Sequence, residues 1–333
     1  MGQSSKPKAA NWVSALLGRP VELQPRRSPE EIPAARDFWD LSHLIVNLPD
    51  LARFEERVVL RERAGVALTA EVYLPLGKPP FPTLLYLHGG SWCLWSPVHL
   101  RRQAMLLAAE GCLTINLDYG LAPEQPYPWA VQDVVYACRW VTEHTGEYGG
   151  DPKRFVVAGD SAGANLGAAA IAAYLAGPDA DWAAAVRDHG LAGPAIDFAA
   201  AIFLYGVFDF PLLFQEPGKI AASGLVETTW NLAYLGPNFL ALHRNPLVSP
   251  ILAPDLAAFP PCYLVSGDED ALLPQSLAMT RRLAKVGVPT RLSVVPGADH
   301  EFLLLDQCMP QARDEMQAVA KWLKTQLVSE GES

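Results

Sequence analysis

The sequence predicts an α/β fold, a mostly parallel sheet flanked by helices, and three observations lead to it. From Phe54 onward, short β-rich runs alternate with helix-like runs, the pattern of strands joined through crossover helices. Several of the β-rich runs are continuously apolar, as expected of strands covered on both faces. Half of the 333 residues are hydrophobic and 19% are charged, enough apolar material for a large core and too little charge for disorder. Length alone suggests about two domains, and the patterning reduces this to one core with an insertion.

Along the chain, residues 1–50 stand apart, being rich in Pro, Arg and bulky apolar residues and lacking strand alternation. They are expected to form a helical appendage. Ser28-Pro29-Glu30-Glu31 has the chemistry of a helix start: a hydroxyl cap, a proline in the first turn and a carboxylate able to reach back to the cap. Ile32, Ala35, Phe38, Trp39 and Leu41 then give that helix a broad apolar side, so it must pack on something. A plain surface helix is the simpler reading; half of a lid is the sharper one.

Strands are expected at Arg57–Leu60, Leu68–Leu74, Thr83–Leu87, Cys112–Leu117, Phe155–Ala158, Ala200–Tyr205, Cys262–Val265 and Arg291–Val295. Helices are expected between them, at Leu100–Glu110, Trp129–His144, Ala162–Leu175, Gln275–Val286 and Gln311–Leu327. One stretch breaks the rhythm. Between Phe208 and Asn245 no strand is evident, but Phe210, Leu213, Phe214, Trp230, Tyr234 and Phe239 supply apolar bulk, so this is read as a helical insertion. The Ala-rich stretch near Ala168 reads as helix and the one near Ala184 as loop.

Composition narrows the function. With 26 Lys+Arg against 36 Asp+Glu, the formal charge is −10, which argues against nucleic acid as a partner, since that affinity needs clustered positive charge. The five cysteines are widely spaced, odd in number and form no CxxC pair, so they are expected to be reduced. No apolar run approaches the roughly 20 residues of a membrane span. A cytoplasmic protein with no membrane span is the expectation. The histidines are dispersed without HExxH or Cys/His ligand spacing, and no phosphate-loop pattern follows a strand, so neither a metal nor another cofactor is expected.

The strongest chemical signal is Gly159-Asp160-Ser161-Ala162-Gly163, where a β-rich run passes straight into an Ala-rich helix. That is the context of a nucleophile elbow, a turn too tight for side chains at its flanks that raises the serine hydroxyl above the sheet. A serine hydroxyl needs a neighbouring base at neutral pH, and in this arrangement acid and histidine follow the serine in that order. Of the later histidines, His189 lies in a Gly/Asp-rich loop and His243 in the apolar insertion. His300 follows the last expected strand and is the natural base. The acid should end the preceding strand, where Asp268, Glu269 and Asp270 cluster; Asp270 is chosen, with Asp268 as the alternate. It would hold the imidazole in one tautomer and stabilise its cation. Leu87-His88-Gly89-Gly90-Ser91-Trp92 ends an early strand in a Gly pair, the type of loop whose amides face the reacting carbonyl. The N–H groups of Gly90, Ser91 and Ala162 are the expected oxyanion hole, with His88 bracing the loop. Trp92, Phe208, Phe210, Phe214 and Trp230 are candidates to line a substrate pocket, although core packing is the commoner role for each.

Together these residues resemble the hormone-sensitive lipase-like family of α/β-hydrolase carboxylesterases, from about Phe81 to the end. The landmarks are His88-Gly89-Gly90, Asp118-Tyr119 with Leu121-Ala122-Pro123-Glu124, Gly149-Gly150-Asp151-Pro152, the Ser161 elbow, Ser249-Pro250, Asp270 in Asp-x-Leu, and His300-x-Phe302. The resemblance favours Asp270 over Asp268. It implies an α/β-hydrolase core of eight strands in two parts, 51–207 and 246–333, under a helical cap made from residues 1–50 and the insertion 208–245. It also implies a small-molecule ester substrate, uncharged and with a short or medium acyl chain, and a homodimer through the last strand and helix. Three positions depart from the family: Ser91 replaces the third glycine of the oxyanion loop, Gly120 stands where Arg is frequent, and Pro274 where a second acid is usual. Two competing functions share this scaffold, an amidase or arylformamidase using the same triad and a non-catalytic ligand receptor.

Overall fold

The β-rich runs assemble into one eight-stranded sheet in the computed structural model, which describes residues 32, 33, 36, 40, 46–213 and 228–327. The strands are β1 (Arg53–Arg63), β2 (Val66–Leu74), β3 (Phe81–Leu87), β4 (Leu113–Asp118), β5 (Gly150–Asp160), β6 (Phe198–Leu204), β7 (Cys262–Gly267) and β8 (Thr290–Val295). They lie in the order β1-β2-β4-β3-β5-β6-β7-β8. β1 and β2 pair antiparallel, as do β2 and β4, and every pairing from β4 through β3 to β8 is parallel. The all-apolar character of the central strands follows from their position. Leu84, Leu85, Leu87, Val156, Val157 and Ala158 have no exposed surface, because helices cover both faces. Each such large apolar side chain contributes about 1.5–3 kcal/mol relative to exposure.

The helices flanking the sheet are α1 (Arg101–Ala109), α2 (Trp129–His144), α3 (Ala162–Ala176), α7 (Leu273–Lys285) and α8 (Pro310–Leu327), with α4 (Phe210–Leu213), α5 (Thr228–Leu235) and α6 (Phe239–Leu242) in the inserted stretch. All eight strands and five flanking helices overlap the segments expected from sequence. One segment differs. Asp181–His189, expected as loop, is a 3₁₀ helix. Ala183 and Val186, three residues apart, are fully buried, and a three-residue turn sets both on the same side.

Of the N-terminal segment, Ile32 is fully buried and Arg36 reaches far along the chain. Its guanidinium donates to the Cys93 and Ala122 carbonyls at 2.8 and 3.1 Å and forms a bidentate pair with Glu124 at 2.8 Å. The helix start at Ser28–Glu31, together with Ala35, Phe38, Trp39, Leu41 and Phe214, lies outside the described residues. The backbone of Trp230 falls in α5, and its side chain is likewise outside them.

The inserted stretch is pinned at both ends by side-chain amides. Gln275 on α7 accepts from the Phe208 and Asp209 amides at 3.0 and 2.7 Å and donates back to the Asp209 carbonyl at 2.9 Å. Asn165 on α3 donates to the carbonyls of Val207 and Val248 at 2.8 and 2.9 Å. These bonds satisfy buried backbone groups that no strand partner reaches. The sheet order then sets the site: β3 lies beside β5, and β7 beside β8. Loops leaving the C-terminal ends of these parallel strands therefore open onto one edge of the sheet, where ligands bind in open α/β folds.

Candidate active site

Ser161 sits at the junction of β5 and α3 with φ 50° and ψ −112°, a left-handed backbone that L-residues avoid and that functional turns retain. Both flanking glycines are needed. A Cβ at Gly159 would lie 2.6 Å from the Gly163 carbonyl carbon, and one at Gly163 would run into the Leu87 carbonyl and lie 2.6 Å from the His88 oxygen. The turn is therefore closed against itself and against the end of β3. The Ser161 amide donates to the Leu204 carbonyl at 2.8 Å, which anchors the bend to β6.

Ser161 Oγ lies 3.0 Å from His300 Nε2, and His300 Nδ1 lies 3.0 Å from Asp270 Oδ2. All three are nearly closed to solvent, at 5%, 3% and 4% exposure respectively. Asp270 is held in turn by the Leu272 amide at 2.7 Å on its other oxygen. Asp268, the alternate, instead accepts from the Gly297 amide at 2.7 Å and braces the loop that carries His300. That loop comes close because Gly267 has no side chain: a Cβ there would collide with the Ala298 carbonyl.

An ionised Asp270 accepts only, so Nδ1 carries the hydrogen and Nε2 is left to accept the serine proton. Burial by itself lowers the His300 pKa, but the charge and hydrogen bond of Asp270, followed by Glu301 and Asp299, outweigh it and raise the pKa above the usual imidazole value. The cation is therefore favoured once a proton arrives.

The chain after β3 bends sharply. Gly90, Ser91 and Trp92 have φ 98°, 53° and 59°, and the Gly90 carbonyl accepts from the Cys93 and Leu94 amides at 3.0 and 2.8 Å. Successive amides in such a turn form an anion-binding concavity. Among the described residues, the amides of Gly90, Ser91 and Ala162 donate no hydrogen bond. Ser91 thus meets the conformational demand of the missing glycine by adopting the left-handed region itself.

His88 is fully buried, stacks on Tyr119 at 4.2 Å and 11° and pairs through Nδ1 with the Gly89 carbonyl at 2.8 Å. Burial depresses its pKa to about 3, so it is a neutral brace. The Tyr119 hydroxyl donates to the His88 carbonyl at 2.7 Å.

Residues 84–304 match a family described as having an alpha/beta hydrolase fold. The chain belongs to this α/β-hydrolase family. It is 31% identical over 292 residues to carboxylesterase NlhH of Mycobacterium tuberculosis, covering 80% of each chain. It is 27% identical over 313 residues to an ethyl acetate hydrolase of Pseudomonas putida, covering 92% of this chain and 93% of the relative. Among solved structures, an esterase of Pyrobaculum calidifontis superposes with a TM-score of 0.75 at 25% identity, covering 92% of this chain and 97% of the other. The hormone-sensitive lipase-like character expected from the motifs holds.

In this α/β-hydrolase, the pocket candidates sit mostly in packed surroundings. Trp92 stacks on Tyr234 of α5 at 4.6 Å and 4°, with Phe210 tilted against it at 5.4 Å. Phe208 packs edge-on to Phe203 at 5.6 Å. Phe208 and Phe210 are fully buried and Trp92 nearly so. These rings join the loop after β3 to the inserted stretch, a role Tyr234 shares.

The remaining departures have physical reasons. A Cβ at Gly120 would collide with the Trp129 ring, which lies under the Arg63 guanidinium at 3.7 Å. Arg61 and Arg63 of β1 hold Asp133 at 2.6 and 3.1 Å, and Asp133 also accepts from the Gly120 amide at 3.0 Å. Pro274 occupies the first turn of α7, where its missing N–H leaves no helix bond unmade.

Two acidic residues at the site were not singled out from sequence. Asp160 is fully buried and Glu301 is 5% exposed. Carboxylates at strand ends and on loops are normally solvated, and a sequence pattern does not reveal which ones are covered.

Proposed function

We propose that the protein is a serine carboxylic-ester hydrolase in which Ser161 is the nucleophile, His300 the general base and then acid, and Asp270 the group that orients and stabilises the imidazole. The observation that carries this reading is the continuous chain from Asp270 Oδ2 through His300 to Ser161 Oγ, 3.0 Å at each link. His300 takes the serine proton as Oγ attacks the ester carbonyl, and the developing oxyanion is held by the amides of Gly90, Ser91 and Ala162. Ala162 begins α3, whose N-terminal end adds positive potential there. His300 then protonates the leaving alcohol, and water activated by the same imidazole cleaves the acyl-enzyme. The scheme draws on the chain's own side chains, amides and water.

The substrate reading follows the family: small uncharged esters with short or medium acyl chains. It is supported by relatives described as a carboxylesterase and an ethyl acetate hydrolase, and by Trp92, Phe210 and Tyr234 packed beside the loop after β3. The residues 1–50 and 208–245 are read as the two parts of a cap over this site. Arg36 joins the first part to the loops at Cys93 and Ala122. By the same resemblance, β8 and α8 are read as a surface for a second copy of the chain. A cytoplasmic location is supported by five cysteines that form no disulfide. Among the described residues no helix is long and apolar enough to cross a membrane.

The test is a series of p-nitrophenyl esters of increasing acyl length, with a matched formamide, run on wild type and Ser161→Ala together. Wild type is expected to favour the short and medium esters over the formamide, and Ser161→Ala to lose roughly 10⁴-fold or more in kcat. Substantial turnover by Ser161→Ala, or dominant formamide cleavage, would overturn the reading.

A further inference from the structure

The position directly after His300 has φ 61° and ψ 18°, a left-handed backbone that favours glycine, and a glutamate occupies it. The side chain does not turn out to solvent as an ordinary loop carboxylate would. Glu301 is 5% exposed, and its Oε1 lies 3.8 Å from His300 Nε2, the same nitrogen that meets Ser161 Oγ at 3.0 Å. The imidazole is therefore set between two carboxylates, Asp270 bonded at Nδ1 and Glu301 beside Nε2.

The distance separates their roles. At 3.8 Å the Glu301 carboxylate is beyond hydrogen-bond reach of Nε2, so it does not displace Ser161 as that nitrogen's partner. It is still close enough to act strongly by charge in a site closed to water.

The other groups facing His300 are Asp299, whose Oδ1 accepts from the His300 amide at 2.7 Å, the Tyr205 ring at 5.0 Å, and Asp160 at the end of β5, which interacts with it by charge. Burial, then the charge of Glu301, holds the Asp160 pKa well above the usual carboxylate range. Burial lifts Glu301 to about 7, with His300 pulling it down and Asp270 and Asp299 pushing it up. Glu301 therefore ionises in the neutral range.

We propose that Glu301 is a positioning residue acting through His300: its carboxylate, set beside Nε2, steadies the imidazolium formed when that nitrogen takes the Ser161 proton. This inference rests on the assignment of His300 as the base. The proton passes from Ser161 Oγ to Nε2, the new bond is Oγ to the acyl carbon, and Glu301 exchanges no atom with the substrate. Its effect therefore falls on kcat and on the pH dependence, leaving KM unaffected. A carboxylate beside the imidazole raises the pKa of the base, so removing it must move the acid limb of kcat/KM to lower pH and weaken the base at the plateau.

The experiment measures kcat and KM for a short p-nitrophenyl ester from about pH 5 to about pH 9 with wild type, Glu301→Gln and Glu301→Gly. Gln keeps the shape, and Gly suits the left-handed backbone, so folding is preserved by at least one variant. In both, the acid limb is expected to move down by about half to one pH unit, with a roughly three- to tenfold fall in plateau kcat and KM within about twofold. A folded Glu301→Gly with an unmoved acid limb overturns the inference, as does a loss confined to KM. Ser161→Ala, measured alongside, separates the two levels. If it is inactive and the limb is unmoved, Glu301 alone is misassigned; if it is active, the Ser161–His300 pairing on which the inference rests fails as well.

Discussion

At the scale of single residues, the backbone at Ser91 and Ser161 takes the same unfavourable form for different reasons. Ser161 needs φ 50° so that its hydroxyl stands clear of the sheet and faces His300. Ser91 needs φ 53° so that the loop after β3 can turn, and its proposed role asks only for its amide. A left-handed L-residue costs about 1–2 kcal/mol, whereas glycine there gives up part of that advantage in chain entropy. Ser91→Gly is therefore expected to raise Tm by about 1–3 °C in thermal unfolding with kcat/KM retained, because the N–H remains. A fall in Tm would mean that the serine side chain contributes more than its backbone strain removes. The same residue-level view explains what the sequence could and could not disclose. Ser161 and His300 were legible because each lies in a motif and a chain order that the chemistry constrains. Asp270 and Asp268 sit two residues apart on the same loop, and the residues alone left both open; only the three-dimensional course of the chain puts Asp270 at His300 and Asp268 at the Gly297 amide. Glu301 carried no signal, since its importance lies in being covered.

At the scale of elements, agreement between expectation and structure follows how much of a strand is decided by its own residues. The helix Trp129–His144 and the strands β3, β4, β6 and β7 were predicted to within a few residues because burial forces their apolar pattern. β5 begins at Gly150 rather than Phe155, although Gly150-Asp151-Pro152 reads as a turn, because β3 pairs Phe81 with Gly150 and absorbs the irregularity between Pro82 and Thr83. β1 extends to Arg53 through a run of charged residues that no apolar pattern marks, as an edge strand allows. The junction of β5 and α3 is the least forgiving element. Gly163→Ala would drive a methyl group into the carbonyls of Leu87 and His88, and backbone cannot yield as a flexible side chain can. This variant is expected to lose about 2 kcal/mol or more of stability in denaturant unfolding and to lose most of its esterase activity. Wild-type stability and turnover would show that the turn is looser than the geometry describes.

At the scale of the whole molecule, the order of strands explains why groups more than a hundred residues apart meet. The loop after β3 and the elbow after β5 leave neighbouring strands, the loops after β7 and β8 leave another neighbouring pair, and β6 alone separates the two pairs. The inserted stretch is joined to the loop after β3 through the Trp92 and Tyr234 stack, and Arg36 donates to the Cys93 carbonyl in that loop. None of these approaches is local, so no window of sequence could have drawn them. The alternation of strands and helices and the chain order of serine, acid and histidine were enough to expect them. The most direct measurement is intact and peptide mass spectrometry of enzyme quenched during turnover of a short p-nitrophenyl ester, with Ser161→Ala as the control. The account predicts one acyl group per chain, carried on the peptide containing Ser161 and absent from the variant; an acyl group on another residue, or turnover with no acyl-enzyme at any quench time and full activity in the variant, would contradict it.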